Sequence, residues 1–192
     1  MTTPRRSSSL IAMSLALALV GACLAMIVIV ILVFAQVLGR VADRITTFLG
    51  FERYGFLVPS LAEIGGFLFV AAAFLALPAT LRAAGHVRVT LLLRNLGPTA
   101  DRVATVLILL AGLGLATFAT WAVTIQTLAS YQRGSVSFGI IPIPLWVPQA
   151  VMTAGIALFT VALLDELVAT LRGGEARFRG IERDREATGG GH

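Results

Sequence analysis

Charge is what this 192-residue chain has least of. Charged residues make up 13% of it and hydrophobic residues 57%, against a usual quarter of charged residues in soluble domains. That balance excludes a conventional core folded in water. Lysine is absent and all 15 basic residues are arginine, which we read as coding bias and not as mechanism. Cysteine occurs once, at Cys23, so no internal disulfide can form and the residue says little about redox compartment. The two histidines, His86 and His192, both lie outside the apolar runs. A membrane haem needs two histidines facing each other across a bundle, so a cytochrome is excluded. Metalloprotease motifs, glycine-rich phosphate loops and Cys-x-x-Cys pairs are missing as well. The chain is therefore expected to be no enzyme and to need no cofactor or metal.

What is present is a set of four long uncharged stretches: between Arg6 and Arg40, Ile64 through Leu81, Val103 through Gln132 and Gly134 through Leu164. A helical span needs about 20 apolar residues at a rise of roughly 1.5 Å each, and each stretch is about long enough. The runs are continuous and do not alternate, which rejects a barrel and leaves helices that satisfy their own backbone. The fold class read from this pattern is an all-α integral membrane protein with four transmembrane helices. Residues 1–170 form the membrane domain, and residues 171–192, mixed in charge and rich in glycine, are expected to be a disordered cytoplasmic tail. Val20-Gly21-Ala22-Cys23 loosely resembles a lipoprotein cleavage box. The apolar run around it continues through Leu38, far beyond the roughly 7–15 residues of a signal peptide's apolar region, so an uncleaved span is expected.

Arginine sets the expected orientation. With both termini cytoplasmic, the inside carries Arg5, Arg6, Arg82, Arg88, Arg94 and Arg102, then Arg172, Arg177, Arg179, Arg183 and Arg185 in the tail. The outside carries Arg40, Arg44, Arg53 and Arg133. The positive-inside rule favours that arrangement. Tyr54, Trp121, Tyr131 and Trp146 fall near the outer interface, where amphipathic rings prefer to sit. Arginines spread over loops and termini point to membrane lipid headgroups and not to nucleic acid.

Within the spans, Ser14, Ala18 and Ala22 recur every fourth residue, as do Gly112, Ala116, Thr120 and Thr124. Such stripes of small residues allow helices to approach closely; a substrate path is the sharper alternative for the second. Arg40 to Phe56 interleaves apolar and charged residues and reads either as a short interfacial helix or as an ordinary loop. Ser60 and Glu63 have capping-box spacing at the start of the second span. Pro78 is expected to kink that span's inner end. Val87 to Leu92 in the connection that follows is expected along the inner leaflet, and Pro142, Pro144 and Pro148 make a rigid entry into the last span.

A charge buried in a span is the usual pointer to function, at a cost of about 2.5–3.5 kcal/mol. Glu63 is the one acid inside a span boundary; it reads first as a helix cap and second as a buried carboxylate paired with an arginine of this chain or of a partner. Asp165 and Glu166 are expected to be solvated or paired with Arg172. No acid sits at midplane to relay protons, although broken helices can hold sodium without one.

The loop motifs carry a resemblance. Arg82-Ala83-Ala84-Gly85-His86-Val87-Arg88-Val89 after the second span resembles the Arg…Gly-x-His-[Ile/Val]-x-Val signature of the DctQ-like small permease subunits of tripartite ATP-independent periplasmic (TRAP) transporters, with Gly85 here directly before His86. Arg40 after the first span, Glu63 opening the second, and Ser137…Ile141-Pro142…Trp146 before the fourth are similar to the same family, with Thr90 standing where it usually has Asp. The resemblance covers about residues 10–170. It implies a non-catalytic small subunit in a bacterial inner membrane. That subunit scaffolds a large permease subunit, which carries sodium and an organic acid delivered by a periplasmic binding protein. Arg40, Glu63, Arg82, His86 and Arg88 would then be subunit or lipid contacts. A self-sufficient small oligomeric transporter or channel is the competing reading.

Overall fold

The computed structural model describes residues 6–50, 52, 55, 58–82 and 98–172. They form four helices: α1 (Arg6–Phe48), α2 (Leu61–Arg82), α3 (Pro98–Gln132) and α4 (Trp146–Leu171). Each is long and apolar enough to cross a membrane, as the four uncharged stretches predict. Of the tail expected at residues 171–192, Leu171 still belongs to the last helix, and residues 173–192 lie outside the described residues, as do the inner-leaflet stretch at residues 87–92 and Tyr54.

The helices do not close into a square bundle. α1 packs on α2, α2 on α4 and α4 on α3, while α1 reaches α4 only sparsely. The order across the molecule is therefore 1-2-4-3, with α1 and α3 at the two edges. Leu15, Leu81, Leu109, Ala116, Ala162, Leu163 and Leu167 are buried together where the four helices converge. Outside that cluster the usual soluble pattern is inverted: Leu17, Val30 and Leu115 are 63–70% exposed, as lipid-facing side chains should be.

Small residues set the helix spacing. Ala18 and Ala22 are buried, and a Cβ built at neighbouring Gly21 would lie 3.3 Å from Leu75. On α3, Gly112 faces Leu163 and Ala116 is buried, so this stripe packs on α4. Thr120 and Thr160 share a hydrogen bond of 3.1 Å, and so do Thr127 and Thr153, two rungs between antiparallel helices. The tightest approach is between α2 and α4, where a Cβ at Gly155 would fall 2.5 Å from the carbonyl oxygen of Phe74. Pro78, four residues on, has no N–H to offer that carbonyl. Pro78 is fully buried, and α2 continues through it to Arg82.

Of the two readings of residues 40–56, the helical one applies up to Phe48, but not as a separate element. α1 is a single helix of 43 residues, roughly 65 Å long, against a hydrocarbon thickness of about 30 Å. It ends where Gly50 takes a positive φ of 80°, a backbone state that costs glycine little.

Candidate functional site

Polar side chains gather at the two ends of the helix row. At the end holding the start of α2, they catch backbone N–H groups of the connections between spans. Gln36, buried on α1, accepts the N–H of Val58 at 2.7 Å, and Asp43 accepts that of Gly55 at 3.1 Å. Ser60 and Glu63 act likewise. Ile141 donates its N–H to Ser60 Oγ at 3.0 Å, and Gly139 donates to Glu63 Oε1 at 3.1 Å. The capping-box reading is thereby corrected: these two side chains reach across to the α3–α4 connection and not back to the first turn of α2. Of the second reading, a carboxylate paired with an arginine of this chain or of a partner, only the first arm bears on the described residues, where Glu63 meets a backbone amide and no arginine. Backbone outside a helix must be satisfied near the membrane, and an ionised acceptor does that most strongly.

The connection they hold is an ordered hairpin. Gly134, at φ 59°, closes α3: its N–H bonds the carbonyl of Tyr131 and that of Ser135 reaches Ser130, a Schellman ending. Ser137 and Ile143 then pair through the backbone at 2.9 Å. The Ser137 hydroxyl, buried, also accepts the N–H of Ile143 at 3.0 Å. Residues 139 and 141 therefore face α2, and the side chains of Phe138 and Ile140 point away, 102% and 75% exposed. A Cβ at Gly139 would collide with the carboxylate of Glu63 and come within 2.7 Å of Ser60 Oγ, so any larger residue would push those two acceptors aside. Beside it, Tyr131 and Trp146 stack edge to face at 5.6 Å. Glu63 Oε2 and Gln149 Oε1 are buried here without hydrogen-bond partners.

At the opposite end, Arg82 lies 3.5 Å from Asp165 and joins α2 to α4. Both side chains keep about 30% of their exposure, so the pair contributes at most about 1 kcal/mol. Arg102 donates to the carbonyls of Thr170 and Leu171 at 3.2 and 3.3 Å, filling acceptors that the end of α4 leaves open. Two expectations are corrected here. Asp165 pairs with Arg82 in place of Arg172, and Glu166 is not solvated but 6% exposed, beside buried Thr170.

Of the five residues singled out from sequence, Arg40 and Glu63 fall at one end of the row and Arg82 at the other. His86 and Arg88 lie outside the described residues. Gln36, Asp43, Gly139, Gly155 and Arg102 went unnoticed as contacts. For Gly139 a signal existed: a glycine between Ser137 and Ile141, in a run where neighbouring positions are bulky. No group of three metal-ligating side chains occurs among the described residues.

Four apolar spans joined by polar clamps at their ends define a multi-pass helical membrane protein whose described polar groups mostly serve packing and backbone. Residues 29–173 match the model of the DctQ component of tripartite ATP-independent periplasmic transporters, and the chain belongs to that family of transport proteins. No curated protein and no solved structure matches it.

Proposed function

We propose that this chain is the non-catalytic small subunit of a sodium-driven TRAP transporter, scaffolding the large permease subunit during uptake of an organic acid. A periplasmic binding protein delivers the acid to the assembled complex. The membrane is the bacterial inner membrane, with both chain termini in the cytoplasm. The observation that carries this reading is where the polar side chains are used. The mid-span threonines of α3 and α4 bond to one another and to their own helices, and the acids sit at span ends. Moving an ion through a bundle usually requires a buried ionisable residue or a broken helix. The four helices here run unbroken. The single row also leaves the apolar flanks of α1 and α3 uncovered, which suits a subunit that lies against a larger one.

Purification through a tag on this chain is expected to bring down a large multi-span permease. Vesicles holding this chain alone are expected to accumulate no acid under a sodium gradient. Accumulation by the chain alone would overturn the reading in favour of an autonomous transporter.

A further inference from the structure

We infer that Arg40 and Arg44 form a binding site for the phosphate group of a phospholipid, whose acyl chain lies along the adjoining face of α1. The two arginines stand one turn apart, directly beyond the uncharged run of the first span, and neither has a hydrogen bond or ion pair among the described residues. Together with Asp43, Thr47 and Phe48 they line a shallow open concavity. The one carboxylate there does not neutralise them both: Asp43 already accepts the N–H of Gly55. Two guanidiniums without partners among the described residues, at the edge of an apolar span, call for an anion, and planar guanidinium forks match phosphate oxygens in pairs.

The source of that phosphate follows from the rest of the helix face. Met26, Val30, Val33, Val37, Arg40 and Arg44 succeed one another at steps of three or four residues, so they share one side of α1. The four apolar members are 46–63% exposed, on an edge helix that packs extensively on α2 alone. An apolar helix face leading up to two cations that have no partner among the described residues fits a molecule with a long apolar chain and an anionic head. Free inorganic phosphate would use only the upper half of this surface.

The full chain, purified in delipidated detergent with whatever subunit accompanies it, can be titrated with palmitoyl-oleoyl phosphatidylglycerol and followed by native mass spectrometry. One tightly held lipid is expected. R40Q/R44Q should weaken it roughly 30-fold, near the combined effect of two surface arginines, while R133Q leaves it unchanged. R40K/R44K keeps the charge but loses the paired geometry, so an intermediate loss is expected; this variant also gives the result if R40Q/R44Q does not fold. Excess inorganic phosphate should not displace the lipid. Displacement by phosphate would overturn the lipid as occupant. Unchanged lipid binding in both double variants would overturn the site, and if the accompanying subunit is lost at the same time, the arginines contact protein instead.

Discussion

Gly155 tests whether the contact between α2 and α4 is set by backbone. A Cβ there would lie 2.5 Å from the oxygen and 2.6 Å from the carbonyl carbon of Phe74, and 2.9 Å from its Cβ. The obstacle is main chain and cannot swing aside, so the two helices must separate by most of an ångström to restore ordinary contact. Such overpacking costs about 1–3 kcal/mol. Gly112→Ala is the matched control: its Cβ would meet only the methyl groups of Leu163, at 3.9 Å. Both substitutions exchange glycine for alanine within a helix, so the propensity gain of up to about 1 kcal/mol cancels in the comparison. Gly155→Ala should therefore unfold more easily than Gly112→Ala by about 1–3 kcal/mol, seen as a thermal midpoint several degrees lower in one detergent. Equal midpoints, or a higher one for Gly155→Ala, would refute the close approach.

Two further outcomes follow from the clamps at either end. Glu63→Ala removes a charged acceptor from Gly139, a loss of about 1.5–3 kcal/mol locally, so amide exchange at Gly139 and Ile141 should rise many-fold while α3 and α4 stay protected. Unaltered exchange at both amides would show that Glu63 does not hold the hairpin. A double-mutant cycle on Arg82→Gln and Asp165→Asn should give a coupling below about 1 kcal/mol that shrinks with added salt. A coupling of several kcal/mol would mean the pair is far better shielded than its exposure indicates.

The spans were legible because an apolar run without charge has few other places to go, and because Ala18, Ala22, Gly112 and Ala116 mark helix contacts by size alone. The ends were not. Ser60 and Glu63 match a capping box locally, yet a hairpin some 80 residues away competes for the same oxygens and wins, and no local pattern reports such a competitor. Asp165 next to Arg172 reads as a neighbourly pair, while the fold brings Arg82 from another helix. Arg40 to Phe48 carries the alternation of a surface segment. No glycine or proline lies between Arg40 and Leu49, and that was the mark that α1 simply continues as far as Gly50.

The length of α1 has a mechanical consequence. Its uncharged part from Ile11 to Leu38 measures roughly 42 Å, so immersing all of it in a slab about 30 Å deep requires a lean of roughly 45°. That is steeper than the usual lean of a single rod, so a bilayer of ordinary depth must thicken around this helix or leave part of its greasy length outside the hydrocarbon.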